Sequence, residues 1–122
     1  MLHVLDKQNS LLGNFVKEIR SVDIQNDPMR FRRNIERIAQ VMCYEISKSL
    51  NFKTEEVKTP LGIAPTNVVA DKIVVASILR AGLAMHNGVL DFFDGAENCF
   101  VSAYRKYTDE THFDIHVEYI AA

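Results

Sequence analysis

The chain has no tryptophan, only two cysteines, three prolines and five glycines in 122 residues. Cys43 and Cys99 are too few and too far apart for a disulfide framework or a zinc motif. Both lie in apolar stretches, where they are expected to be reduced packing residues. No repeat, low-complexity segment or flexible linker interrupts the chain. Long hydrophobic runs are missing too, and no segment approaches the length that crosses a bilayer. The N-terminal MLHVLDKQNS lacks the basic region and apolar run of an export signal, so a cytoplasmic location without a membrane partner is expected. Neither sign of charge dominates, with 14 Lys and Arg against 16 Asp and Glu and a formal net charge of -2. That balance argues against a general nucleic-acid or anionic-membrane binder, and any positive field must be local. Arg30, Arg32, Arg33 and Arg37 form one such local group.

With 48% apolar residues and 25% charged ones, residues 1–122 read as one soluble domain, or a piece of one, with a modest core. Leu12, Phe15, Val16 and Ile19 follow Ser10 at helical spacing and predict a short helix over 11–20. Asp27 suits an N-cap and Pro28 the first helical position. Phe31, Ile35, Ile38, Met42, Ile46 and Leu50 then mark one face of a long helix over 28–50. Thr59-Pro60-Leu61-Gly62 predicts a turn inside a small hairpin.

The run 73–79 is continuously apolar, as in a sheet covered on both faces, and helical character returns from Leu83 to Phe92. After a turn at Asp94-Gly95, NCFVSAY over 98–104 predicts a second buried strand. Strand, helix and strand are the order of a parallel crossover unit, which makes the fold class α/β. HFDIHVEY over 112–119 alternates, with Phe113, Ile115, Val117 and Tyr119 opposite His112, Asp114, His116 and Glu118, and predicts an edge strand or extended arm. The chain then stops at EYIAA, where a parallel α/β sheet would usually continue. An incomplete domain, or one completed by another chain, is expected.

The candidate chemistry lies where strand 73–79 meets Arg80, Ala81 and Gly82. Ligands of open α/β sheets gather beyond the carboxyl ends of the strands. A glycine beside an arginine there suits an anion, because the planar guanidinium gives paired, charge-assisted hydrogen bonds to phosphate oxygens. Arg105 follows the second strand, so parallel neighbours would bring both guanidinium groups to one rim, about 5 to 10 Å apart at the backbone, a spacing suited to a diphosphate. His112 and His116 are four residues apart on a strand, about 13 Å, which is too far for one metal ion. No partner is evident for His3 or His86. The helix arginines are expected on a solvated face, with Glu36 relieving the repulsion between Arg33 and Arg37.

ILRAGL over 78–83, the following NGVL and SAYRKY, together with FRRNIERIAQVMCYEISKSL and TPLG upstream, resemble uracil phosphoribosyltransferases. The resemblance is collinear from the N-terminus to about Tyr119. It implies a type I phosphoribosyltransferase fold, a Rossmann-like parallel sheet with two helices, a small hairpin and an extended β arm. The implied reaction transfers ribose 5-phosphate from phosphoribosyl diphosphate to uracil, giving UMP and diphosphate in pyrimidine salvage. It assigns phosphoribosyl diphosphate to Arg80, Ala81, Gly82 and Arg105, and Mg²⁺ to that substrate with no protein ligand identified here. It also implies a homodimer or larger homo-oligomer. Because some members respond to GTP, Arg30, Arg32 and Arg33 become candidates for an effector site.

Nothing after Tyr119 matches the acidic, Thr-Gly-containing ribose-phosphate loop or the uracil-binding segment of the family. The 122 residues alone are therefore expected to lack transferase activity. Two alternatives stand beside this one: a pyrimidine regulatory RNA-binding protein on the same fold, and a noncatalytic dimer-forming fragment. Nucleic acid is disfavoured by the net charge.

Overall fold

A computed structural model describes residues 2–121, apart from the Tyr119 side chain. After a 3₁₀ turn at Leu5–Lys7 come α1 (Leu12–Arg20), α2 (Pro28–Ser47), β1 (Phe52–Thr59), β2 (Gly62–Val69), β3 (Val74–Leu79), α3 (Leu83–Leu90), β4 (Glu97–Tyr107) and β5 (Phe113–Ala121). β1 and β2 form an antiparallel hairpin, while β3, β4 and β5 form a separate sheet in that order.

The signals at the start of α2 act as expected. Asp27 is the N-cap, its side chain accepts the Arg30 amide at 3.0 Å, and Pro28 opens the first turn. The helix ends short of the predicted Leu50 because its last carbonyls are taken by tightened i to i+3 bonds. The amides of Lys48, Ser49 and Leu50 donate to Glu45, Ile46 and Ser47. Likewise α3 stops at Leu90, before the predicted Phe92, where the amides of Phe92 and Phe93 both turn back to Val89.

β3 and β4 run parallel with Val74 opposite Glu97 and Leu79 opposite Ser102, and α3 is the crossover between them. The Cys43 and Ala39 side chains of α2, Leu12 of α1 and Val75 of β3 are the buried apolar residues among those described, so the core lies under the helices on one face of the sheet. The other face departs from the sequence expectation of a strand covered on both sides, since Val74 is 59% and Ile78 62% exposed. An apolar run reports that a strand can be buried on both faces, but it does not supply the layer that buries it.

β4 is longer than predicted and continues to Tyr107 because β5 pairs with it antiparallel beyond the point where β3 ends. β5 is the expected edge strand and arm. Its alternation breaks at Glu118, because Ser102 opposes Tyr119 and Ala103 opposes Val117, leaving Glu118 as the bulge residue. The predicted single face of Phe113, Ile115, Val117 and Tyr119 is therefore not continuous in register.

Candidate functional site

β3 delivers the chain to a tight turn. The Leu79–Arg80 peptide is cis. The Gly82 amide donates to the Ile78 carbonyl at 3.0 Å, the Leu83 amide to Arg80 at 3.2 Å and the His86 amide to Gly82 at 2.9 Å, which starts α3. Gly82 has φ of -71°, an ordinary helical value, so glycine is not demanded here by backbone conformation. It is favoured by space: a Cβ there would lie a tight 3.0 Å from the Ile78 carbonyl oxygen and 3.3 Å from Ser77 Cβ.

Between this turn and α2 lies a groove of about 540 Å³, with Arg80, Ala81 and Gly82 on one wall and Phe31, Arg32 and Glu36 on the other. Two arginines from separate elements thus border one open space. A second groove of about 560 Å³, walled by Leu12, Val16, Ile38 and Met42, has no arginine in its lining. Paired guanidinium groups, the donors suited to bidentate contact with an anion, border only the former of these two.

Arg105 is placed differently from the sequence expectation. It lies inside β4 opposite Ile115, three residues past Ser102, rather than at a strand end. Its guanidinium carbon stands 4.8 Å over the Phe113 ring, and it is not among the residues lining the Arg80 groove. Two residues of extra strand carry it about 7 Å further along the sheet than Arg80. The polar SAYRKY looks like the close of a strand, and only the pairing with β5 prolongs it.

The helix arginines are divided among partners instead of forming one basic surface. Arg30 reaches Glu18 at 3.4 Å, Arg33 bonds Glu36 at 2.5 Å, and Arg37 bonds Asn34 at 3.3 Å while lying 5.4 Å over the Phe15 ring. Glu36 does relieve Arg33, as expected. Arg32 is the member that faces the groove. Behind them the buried Asn34 amide donates to Glu18 at 2.6 Å, and this bond, followed by Arg30, holds the Glu18 carboxyl below its ordinary range.

His86 has partners that the sequence did not reveal. It is 2% exposed, with Nδ1 2.7 Å from Ser77 Oγ of β3 and Nε2 2.7 Å from Asn98 Oδ1 of β4. A histidine in the apolar LAMHNGVL signals a buried polar group needing partners. Which residues answer depends on the β3–β4 register. His112 and His116 go separate ways: His112 Nδ1 sits 2.9 Å from Asp109, and the His116 ring lies 5.3 Å from that of Tyr104.

A family model described as uracil phosphoribosyltransferase matches residues 7–118. Over 118 residues the chain is 58% identical to a uracil phosphoribosyltransferase of Porphyromonas gingivalis, covering 97% of this chain and 55% of that protein. It is 38% identical over 122 residues to one of Methanothermobacter thermautotrophicus, covering 98% and 54%. The chain thus spans about half the length of the curated relatives it matches. In fold it is similar to the solved structure of the AQ2163 protein from Aquifex aeolicus, with a TM-score of 0.77 and 24% identity over 94% of this chain and 53% of that one. That likeness supports the α/β architecture. Among the described residues no helix is long and apolar enough to cross a membrane.

Proposed function

Given that the chain belongs to the uracil phosphoribosyltransferase family, we propose that the Arg80–Ala81–Gly82 turn binds the diphosphate end of phosphoribosyl diphosphate. In this reading the chain contributes the leaving-group side of a site that transfers phosphoribose to uracil, with UMP and diphosphate as products. The observation that carries the proposal is the groove bordered by Arg80 and Arg32 at the carboxyl end of a parallel strand.

Cleavage at the anomeric carbon makes the ribose cationic and moves charge onto the departing diphosphate. A guanidinium held on that group gains more from the transition state than from the bound substrate, so it raises turnover as well as affinity. Arg105, in the β4–β5 arm, is assigned to the same substrate and would approach it from farther along the sheet. Magnesium would arrive on the diphosphate. Among the described residues no group of three or more His, Cys, Asp or Glu side chains is placed to hold a metal.

A homodimer or larger assembly belongs to the same reading, supported by the exposed Val74 and Ile78 on the open sheet face. A GTP effector is assigned to Arg30, Arg32 and Arg33; because Arg32 borders the same groove as Arg80, GTP held there would compete with the diphosphate.

The test is calorimetric titration of phosphoribosyl diphosphate with Mg²⁺ into the 122-residue chain and its Arg80→Ala variant, with labelled uracil assayed for conversion to UMP in parallel. Loss of a charge-assisted hydrogen bond to phosphate predicts about a tenfold to hundredfold weaker complex for the variant. Equal affinity in the two proteins, or no binding by the parent, would overturn the assignment. UMP formation by the chain alone would overturn the expectation that it needs further residues.

A further inference from the structure

Buried His86 of α3 contacts both β3 and β4 beside the arginine turn. Its amide holds the Gly82 carbonyl at 2.9 Å, its Nδ1 meets Ser77 of β3, and its Nε2 meets Asn98 of β4, both at 2.7 Å. The ring also packs on Phe100 of β4, centroid to centroid at 4.7 Å. The Asn98 amide nitrogen donates to the Ala96 carbonyl at 3.3 Å, which turns Oδ1 toward the ring. An acceptor at that position makes Nε2 the protonated nitrogen, and in a neutral ring Nδ1 then accepts the Ser77 hydroxyl proton.

We propose that His86, as the neutral Nε2–H tautomer, is a positioning residue that sets the Arg80–Ala81–Gly82 turn through Ser77. Ser77 lies on β3 three residues before Arg80, which opens the turn, and its Cβ lies 3.3 Å from where a Gly82 side chain would begin. Ser77 is therefore wedged between the ring of His86 and the turn. The hydrogen bond fixes how closely the strand end approaches the first turn of α3, and thereby where the Arg80 side chain points. A diphosphate needs donors at defined positions, so a turn displaced by a fraction of an ångström loses affinity without any contact between His86 and the ligand. The Asn98 bond, by contrast, satisfies the other ring nitrogen and holds the tautomer.

This inference rests on the diphosphate reading of the turn, and its test separates the two. The probe is inorganic diphosphate with Mg²⁺, titrated into the ¹⁵N-labelled chain and followed at the amides of residues 80–83. Ring ¹⁵N shifts report the tautomer in the same samples. His86→Leu removes both hydrogen bonds and is expected to weaken binding about tenfold and to move the 80–83 amides. His86→Asn keeps an acceptor near the Nδ1 position, facing Ser77, and is expected to recover most of the affinity. His86→Gln keeps a donor near the Nε2 position, facing Asn98, and is expected to recover little.

Ser77→Ala removes the hydroxyl alone and should resemble His86→Leu even if that variant does not fold. A role in stability alone would lower the melting temperature of these proteins while leaving affinity and the 80–83 amides unchanged below it, and that result would overturn the proposal. Recovery by Gln but not Asn, or ring shifts showing Nδ1 protonated, would overturn it as well. If the parent binds no diphosphate, the reading of the turn fails, while the 80–83 amide shifts in Ser77→Ala still decide whether His86 positions it.

Discussion

Gly88 of α3 sets how closely that helix approaches α2. A Cβ at this position would collide with the Glu36 carbonyl oxygen and lie 2.8 Å from both Glu36 Cα and Ala39 Cβ of α2. Carbon atoms rest about 3.5 to 4.0 Å apart, so Gly88→Ala requires the two helices to part locally by about 1 Å. The obstacle is mostly backbone, which cannot rotate aside as a side chain would. Overpacking of this kind costs about 1 to 3 kcal/mol, against which alanine returns about 1 kcal/mol of helix propensity. A collision with backbone puts the cost in the upper part of that range, about 2 to 3 kcal/mol, so a net loss of about 1 to 2 kcal/mol is expected, or about 5 to 10 °C in melting temperature for a chain of this size.

The parting would also strain the Gln40–Asp91 hydrogen bond, 2.7 Å long, which ties the same two helices. Gly13 provides the control: it lies in α1, and a Cβ added there would meet no atom within 4 Å, so Gly13→Ala is expected to stabilise by up to about 1 kcal/mol. Thermal and urea unfolding of both variants, followed by circular dichroism, check the pair. Gly88→Ala at or above the stability of the parent would refute the claim that glycine is required there for close helix contact.

Asp27→Ala removes the acceptor that caps Arg30 and should cost about 0.5 to 2 kcal/mol in the same unfolding measurements. Folding lowers the Glu18 carboxyl below its ordinary value, so the Asn34 and Arg30 interactions stabilise the fold above about pH 4.5 and fade as pH falls through the lowered value. Asn34→Ala should raise the Glu18 midpoint in a carboxyl NMR titration; an unchanged midpoint would mean that the amide is not the main cause. At the tip between β4 and β5, Asp109 is drawn from 3.8 down to about 2, first by the Thr111 amide and then by His112. The support it gives the tip is complete above about pH 4 and disappears as pH drops through about 2. A midpoint near 3.8 by NMR would contradict this.

Much of the local architecture could be read from the chain because short-range rules govern it. Asp27 and Pro28 specify where α2 begins by capping chemistry that involves a single turn, and the apolar run before Arg80 marks a strand whichever neighbours it later meets. The family resemblance likewise followed from contiguous motifs. Element ends were less legible. The close of α2 at Ser47 and the extension of β4 to Tyr107 depend on which carbonyls and strands are available nearby.

The sequence by itself determined that an α/β crossover places Arg80, Ala81 and Gly82 at the end of a parallel strand, because strand and helix periodicities and a turn between them are local properties. Tertiary structure alone decided that Arg32, from a helix some fifty residues earlier, shares that groove while Arg105 stands apart on the arm. It alone decided that His86 is satisfied by Ser77 and Asn98, and that Gly88 must be small. The physical reason is the same in each case. Helix crossing and strand register determine which distant residues meet, and a single-residue slip in either would replace every one of these partners.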